Sequence, residues 1–116
     1  MASLTTHVLD TVHGRPAEGV AIELYSVIGR ERRLLKSTVT NKDGRPRDPL
    51  SGSDLGPGVY ELRLFAGDYF RQSGVDLPDP PFLDEVILRF GIANSADHYH
   101  VPLLLSTYGY TTYRGS

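Results

Sequence analysis

The chain has 116 residues, 12 of them basic and 14 acidic for a formal net charge of -2, and no cysteine. That length suits one domain, expected over residues 1–116, and such a domain buries roughly 65% of the surface its unfolded chain exposes, enough for a core without cross-links. Missing Cys excludes disulfides and thiolate metal sites. The balanced charge predicts no nucleic-acid partner and no membrane-surface binding.

Met1-Ala2-Ser3 leads straight into a β-like segment, without the basic start and long apolar stretch of a signal peptide. The longest apolar run, Val101 to Leu105, is too short to span a membrane. A soluble cytoplasmic protein is the expectation.

Gly (12) and Pro (8) recur between short β-branched or aromatic runs, the punctuation of a sandwich or barrel. Leu4 to Leu9 alternates, with Leu4, Thr6 and Val8 on one face and Thr5, His7 and Leu9 on the other. Gly14-Arg15-Pro16 breaks it. Val20, Ile22 and Leu24 mark a second strand, and Leu34 to Thr40 a third. Asn41-Lys42-Asp43-Gly44 is a hairpin signal, with a short strand possible at Arg45 before Pro46 and Pro49. Gly58 to Phe65 is a strand carrying Tyr60, Leu62 and Leu64 on one face and Glu61 and Arg63 on the other. Gly67 to Gly74 is the best helical candidate, with Asp68 as cap and Gly74 as terminator. Glu85 to Gly91, His98 to Ser106 and Tyr108 to Tyr113 complete the strands. About eight short strands and one small helix predict an all-β, two-sheet sandwich.

The strand from His98 holds the most telling pattern. Tyr99, Val101, Leu103 and Leu105 share one face and look like core. His98, His100, Pro102 and Leu104 share the other, which is too apolar at one end for plain solvent surface. His7, beside Leu9, sits likewise away from the core.

The pattern leaves three readings open. The histidines can be scattered surface residues, the class in which His13 is left. His98 and His100, two residues apart on one face, can join His7 in an open zinc site, although no Cys or obvious carboxylate supports it. Or they can do metal-free acid–base work, since one imidazole can take a proton from water while another donates. Arg45 can then hold an anionic substrate through its forked donors; its commoner fate is a solvated turn arginine. Periodicity alone cannot bring these residues together.

Four segments decide between them by resemblance. Leu4 to Asp10 (LTTHVLD), the turn Asp43-Gly44-Arg45, the strand His98 to Ser106 (HYHVPLLLS) and the ending Tyr110 to Ser116 (YTTYRGS) resemble the 5-hydroxyisourate hydrolases of the transthyretin-like family. The likeness runs from end to end, and the terminal Tyr-Arg-Gly-Ser is its most specific mark. It implies a transthyretin-like β-sandwich and an enzyme of urate breakdown, a cyclic amide hydrolase acting on 5-hydroxyisourate.

Carried over by position, the family's catalytic groups fall on His7, Arg45, His100 and Ser116. The substrate-binding set adds Tyr113, Arg114 and Gly115. The resemblance implies no metal and no cofactor. It implies a homotetramer, a dimer of dimers, with sites in clefts between the dimers; this gives a reason for the partly apolar face bearing His7, Leu9, His100 and Leu104. The alternative from another class is a carrier for a small aromatic ligand in the same channel, which has no need of proton-transfer groups.

Overall fold

A computed structural model describes residues 2–50 and 55–115. Among them are eight strands and one helix: β1 (Ser3–Asp10), β2 (Arg15–Pro16), β3 (Ala21–Ile28), β4 (Glu31–Val39), β5 (Gly58–Phe65), α1 (Ala66–Gln72), β6 (Glu85–Ile92), β7 (His98–Leu105) and β8 (Tyr110–Thr112). They form two four-stranded sheets, one ordered β2-β1-β7-β8 and the other β4-β3-β5-β6. The predicted two-sheet sandwich is therefore the observed fold.

The alternation seen in the sequence is the alternation of burial. Leu4, Thr6 and Val8 of β1 face inward, as do Tyr99, Val101, Leu103 and Leu105 of β7. Ile22 and Leu24 of β3 and Tyr60, Leu62 and Leu64 of β5 meet them from the other sheet. Each fully buried Leu or Val stabilises the fold by roughly 1.5–3 kcal/mol relative to exposure. Thr6 is the polar residue among them, and its hydroxyl donates to Val101 O at 2.6 Å.

All neighbouring strands but one pair run antiparallel. The exception is β1 with β7, which run parallel with Ser3 opposite His98, Thr5 opposite His100 and His7 opposite Pro102. These partners lie 95 residues apart in sequence. This pairing sets two histidine-bearing outer faces side by side.

Two local expectations are corrected. Asp68 does not cap the helix: α1 begins at Ala66, its N-cap position is Phe65, and no side chain caps it. The connector's backbone does the work, since Gly67 N–H donates to Asp84 O at 2.8 Å. A Cβ at Gly67 would stand 2.5 Å from Asp84 Oδ1 and 3.2 Å from Asp84 Cα, so a larger residue would have to displace Asp84. Arg15-Pro16, read as a break, pairs as a short edge strand with Leu9 and Asp10, an edge position that suits Pro.

His13 is not a free surface histidine. Asp10, wholly buried at the end of β1, accepts from the His13 backbone N–H at 3.0 Å, from His13 Nδ1 at 2.6 Å and from the Tyr69 hydroxyl of α1 at 2.6 Å. Burial pushes the Asp10 carboxyl up, but the hydrogen bonds from Tyr69 and His13 outweigh it and leave the group below its ordinary value. Burial, helped by the neighbouring carboxylate, pushes the Tyr69 phenol up to about 12. This cluster ties α1 to the first sheet.

Candidate active site

The outward face of the β1–β7 pair carries three imidazoles in a row. The His7 and His100 ring centres are 6.4 Å apart and the rings nearly parallel, at 16°. His98 and His100 stand 6.5 Å apart at 9°. His7 and His100 are half-buried, whereas His98 is exposed. Thr5, directly opposite His100, places its hydroxyl 2.7 Å from His100 Nδ1. That contact leaves Nε2 of His100 as the nitrogen available to a substrate.

Arg45 reaches this face through a tight turn. Asn41 Oδ1 accepts from the backbone N–H groups of Asp43 and Arg45, at 2.9 and 3.2 Å, and Gly44 N–H donates to Asn41 O at 2.9 Å. Gly44 has φ +76°, the left-handed region that favours glycine. It also presses on β1: a Cβ there would lie 2.4 Å from Val8 O. Gly44 O in turn accepts from Val8 N–H at 2.8 Å. The turn is thus docked one residue from His7, which carries Arg45 to the edge of the histidine row. Arg45 is exposed and forms no ion pair among the described residues.

The tail closes the other side. After β8 pairs with β7, the chain returns to bridge Gly115 with His100. Gly115 N–H donates to His100 O at 2.7 Å. A Cβ at Gly115 would stand 2.8 Å from His100 Cδ2. A side chain there would have to push the His100 ring aside.

Arg114 stacks on the ring of Tyr99, its guanidinium carbon 4.2 Å from the ring centre, and donates to His98 O at 3.1 Å. It pins the tail without touching the imidazoles. Tyr113 and Arg114 line a cavity of about 510 Å³ with Phe90, Tyr99 and Tyr110. That cavity lies at the open side of the sandwich, and none of the histidines or Arg45 lines it. Its described lining holds no histidine, the side chain that transfers protons near neutral pH. Ser116 lies outside the described residues.

The electrostatics of the row are one-sided. Burial lowers the pKa of His100, and the charges of Arg45, His7 and His98 lower it further. Among the described residues no carboxylate comes within ion-pair distance of His7, His98, His100 or Arg45. Such a face repels a further proton and attracts an anion. Sequence parity put His7 and His100 on the outward face, where they lie. It gave no sign that Thr5, two residues before His7 on the same face, contacts His100.

A paired, partly buried set of imidazoles beside an arginine, on a transthyretin-like sandwich, defines a class of protein. The chain belongs to the HIUase/Transthyretin family, whose model matches residues 4–115. Among its relatives, a 5-hydroxyisourate hydrolase of Pseudomonas aeruginosa is 60% identical over 117 residues, covering 100% of this chain and 93% of that one. The solved 5-hydroxyisourate hydrolase of Klebsiella pneumoniae superposes with a TM-score of 0.82 at 35% identity, covering 100% of both chains. A crystal structure of (S)-allantoin synthase superposes with a TM-score of 0.91 at 46% identity; the match covers 99% of this chain but 44% of that one, so this chain spans less than half of that protein.

Proposed function

We propose that this chain hydrolyses 5-hydroxyisourate to 2-oxo-4-hydroxy-4-carboxy-5-ureidoimidazoline, a step of urate breakdown, by His/Arg acid–base catalysis. The observation that carries the proposal is the stacked His7–His100 pair beside Arg45, with no compensating carboxylate among the described residues. The names of full-length relatives supply the substrate.

The substrate is a flat, polar, partly anionic heterocycle. Arg45 orients it and stabilises the negative charge that develops on the carbonyl oxygen. Water attacks the amide-like carbonyl of the six-membered ring, and the ring C–N bond breaks. One imidazole takes the proton from water; the leaving nitrogen receives one in return. His100, held below the ordinary imidazole value by burial and by Arg45, favours the uncharged form and is suited to the first task.

Arg114 and Gly115 fix the course of the tail over His100. Tyr113 and Ser116 join the substrate wall in this reading, Ser116 on the strength of the family tail alone. The mechanism calls on no metal or cofactor. Assembly is proposed as a homotetramer that buries the face of His7, Leu9, His100 and Leu104, and the location as cytoplasmic. Among the described residues no helix is long and apolar enough to cross a membrane.

The test is direct. 5-Hydroxyisourate made freshly from urate is mixed with the protein and its ultraviolet absorbance followed. Decay faster than the spontaneous rate is the expected result; an unchanged rate removes the hydrolase reading and favours a carrier.

A further inference from the structure

The histidine row extends beyond the two rings that the proposed reaction uses. Ser3 Oγ lies 2.5 Å from His98 Nδ1. Thr5 Oγ1 lies 3.2 Å from His98 Nε2 and 2.7 Å from His100 Nδ1. The parallel register produces this, since Ser3 faces His98 and Thr5 faces His100 across the ladder. The result is one line of contacts, Ser3–His98–Thr5–His100, from an exposed strand start to the half-buried ring at the site.

A hydroxyl has one hydrogen, so when Thr5 bridges its two imidazoles as a link in the line it donates to one and accepts from the other. The tautomers of His98 and His100 are therefore coupled. In the first arrangement His100 donates from Nδ1 to Thr5, Thr5 donates to His98 Nε2, and His98 donates from Nδ1 to Ser3. His100 then presents a bare Nε2, an acceptor. In the second, Ser3 donates to His98 Nδ1, His98 donates from Nε2 to Thr5, and Thr5 donates to His100 Nδ1. His100 then presents Nε2–H, a donor. Both arrangements are neutral.

We propose that Ser3, His98 and Thr5 form a hydroxyl–imidazole relay that carries the proton taken up by His100 out of the active site to solvent. The step balances. A proton arrives at His100 Nε2; His100 Nδ1–H passes to Thr5 Oγ1; the Thr5 hydrogen passes to His98 Nε2; His98 Nδ1–H passes to Ser3 Oγ; the Ser3 hydrogen leaves to water. One proton enters, one leaves, and His100 is left with Nε2–H facing the substrate. Donation of that proton to the leaving nitrogen, with the shift run backwards, restores the first arrangement.

The surroundings of His100 give the relay a purpose. His7 faces it from β1, His98 from β7 and Arg45 from the turn; Gly115 of the tail brings no charge. Burial and the nearby Arg45 disfavour an imidazolium at His100, so a proton held there must be moved on. Nδ1 offers an exit that does not return through the substrate.

The relay rests on the assignment of His100 to proton transfer, and the experiment separates the two. Thr5→Val keeps the side-chain shape and removes the hydroxyl; Thr5→Ser keeps the hydroxyl; His98→Gln changes an exposed residue and tests the next link. Thr5→Val and His98→Gln are expected to lower kcat about tenfold, the low side of acid–base effects, with KM little changed. Thr5→Ser is expected to stay near wild type. Imidazole nitrogen-15 shifts of the unliganded protein supply a readout free of turnover: Thr5→Val should alter the tautomer signature of His98 as well as that of His100. Wild-type kcat in both Thr5→Val and His98→Gln, a Thr5→Ser loss equal to that of Thr5→Val, or His98 nitrogen shifts indifferent to Thr5→Val overturns the relay. Full activity in His100→Ala overturns instead the reading beneath it, whatever the nitrogen shifts show.

Discussion

The outward faces of the two sheets treat their polar side chains in opposite ways. On the β4-β3-β5-β6 sheet charges meet their opposites. Glu61, though 2% exposed, accepts from Arg32 Nε at 2.7 Å and from Arg89 Nε at 2.7 Å. Arg63 lies between Glu23 and Glu85 and over the Tyr25 ring, whose hydroxyl donates to Glu23 at 2.6 Å. On the β1–β7 face, three imidazoles and Arg45 stand together without a carboxylate among the described residues. A compensated face has spent its fields on itself. An uncompensated one keeps them for a ligand, and this second face is the one with a perturbed histidine.

The largest effects should come from emptying the uncompensated face. His7→Ala and His100→Ala should each slow turnover by roughly a hundredfold to ten-thousandfold, the usual range for acid–base groups. The β spectrum should stay unchanged, because neither ring is in the core. Near-normal turnover in either variant, measured by decay of fresh 5-hydroxyisourate, excludes that residue from the mechanism. Removal of residues 113–116 should have a comparable effect, since it strips Arg114 and Gly115 from beside His98 and His100. A truncated protein with full activity shows the tail to be an ordinary chain end.

Arg45→Gln sharpens the comparison, because it removes the strongest permanent charge from the row. Turnover should fall on the order of a hundredfold if Arg45 stabilises developing charge. The pH profile supplies a second, independent sign. His100 is held below 6.5, so wild-type activity should persist somewhat below that pH before protonation of the ring stops it. Arg45 is part of the cause, and its loss should move this acid limb upward, toward the ordinary imidazole value. An acid limb that stays put or moves down separates Arg45 from the titration of His100.

The sequence made some of this visible and hid the rest for definite reasons. A two-residue period is a local property, and it placed Leu4, Val8, Tyr99 and Leu103 inside and His7 and His100 outside, as found. The parallel pairing of β1 with β7 joins residues 95 apart, and no local pattern carries that information. The Thr5 contacts and the stacking of His7 on His100 follow from that pairing. Gly44 was legible as a turn glycine, but its close approach to Val8 O, which docks Arg45, was not. The helix start was misread because its cap comes from the distant Asp84 carbonyl rather than from nearby Asp68. Family resemblance supplied what periodicity lacked by naming Arg45 and the tail together with the histidines.

The smallest effect should come from the compensated face, and it tests the contrast from the other side. Glu61→Gln keeps the shape of the side chain but removes the charge that two arginines share. Both arginines are partly solvated, with side-chain exposures of 41% and 54%, so they retain water when their partner is neutralised. The loss should therefore be about 1–3 kcal/mol of stability, the scale of a charged hydrogen bond, rather than the cost of a stranded buried ion. Hydrogen bonding from Arg32, countered by burial and reinforced by Arg89, holds the Glu61 carboxyl below 4.5. A carboxyl depressed on folding stabilises the protein above its unfolded value, and that stability disappears as pH falls through the folded one. In urea unfolding, the gap between wild type and Glu61→Gln should thus be full near pH 7 and shrink as pH drops below 4.5. Turnover at neutral pH should be unchanged, because Glu61 lies on the opposite sheet from His7 and His100. A marked loss of activity at full stability would mean that the charged ladder acts on the reaction, and the two faces could no longer be divided into one that holds the fold and one that does the chemistry.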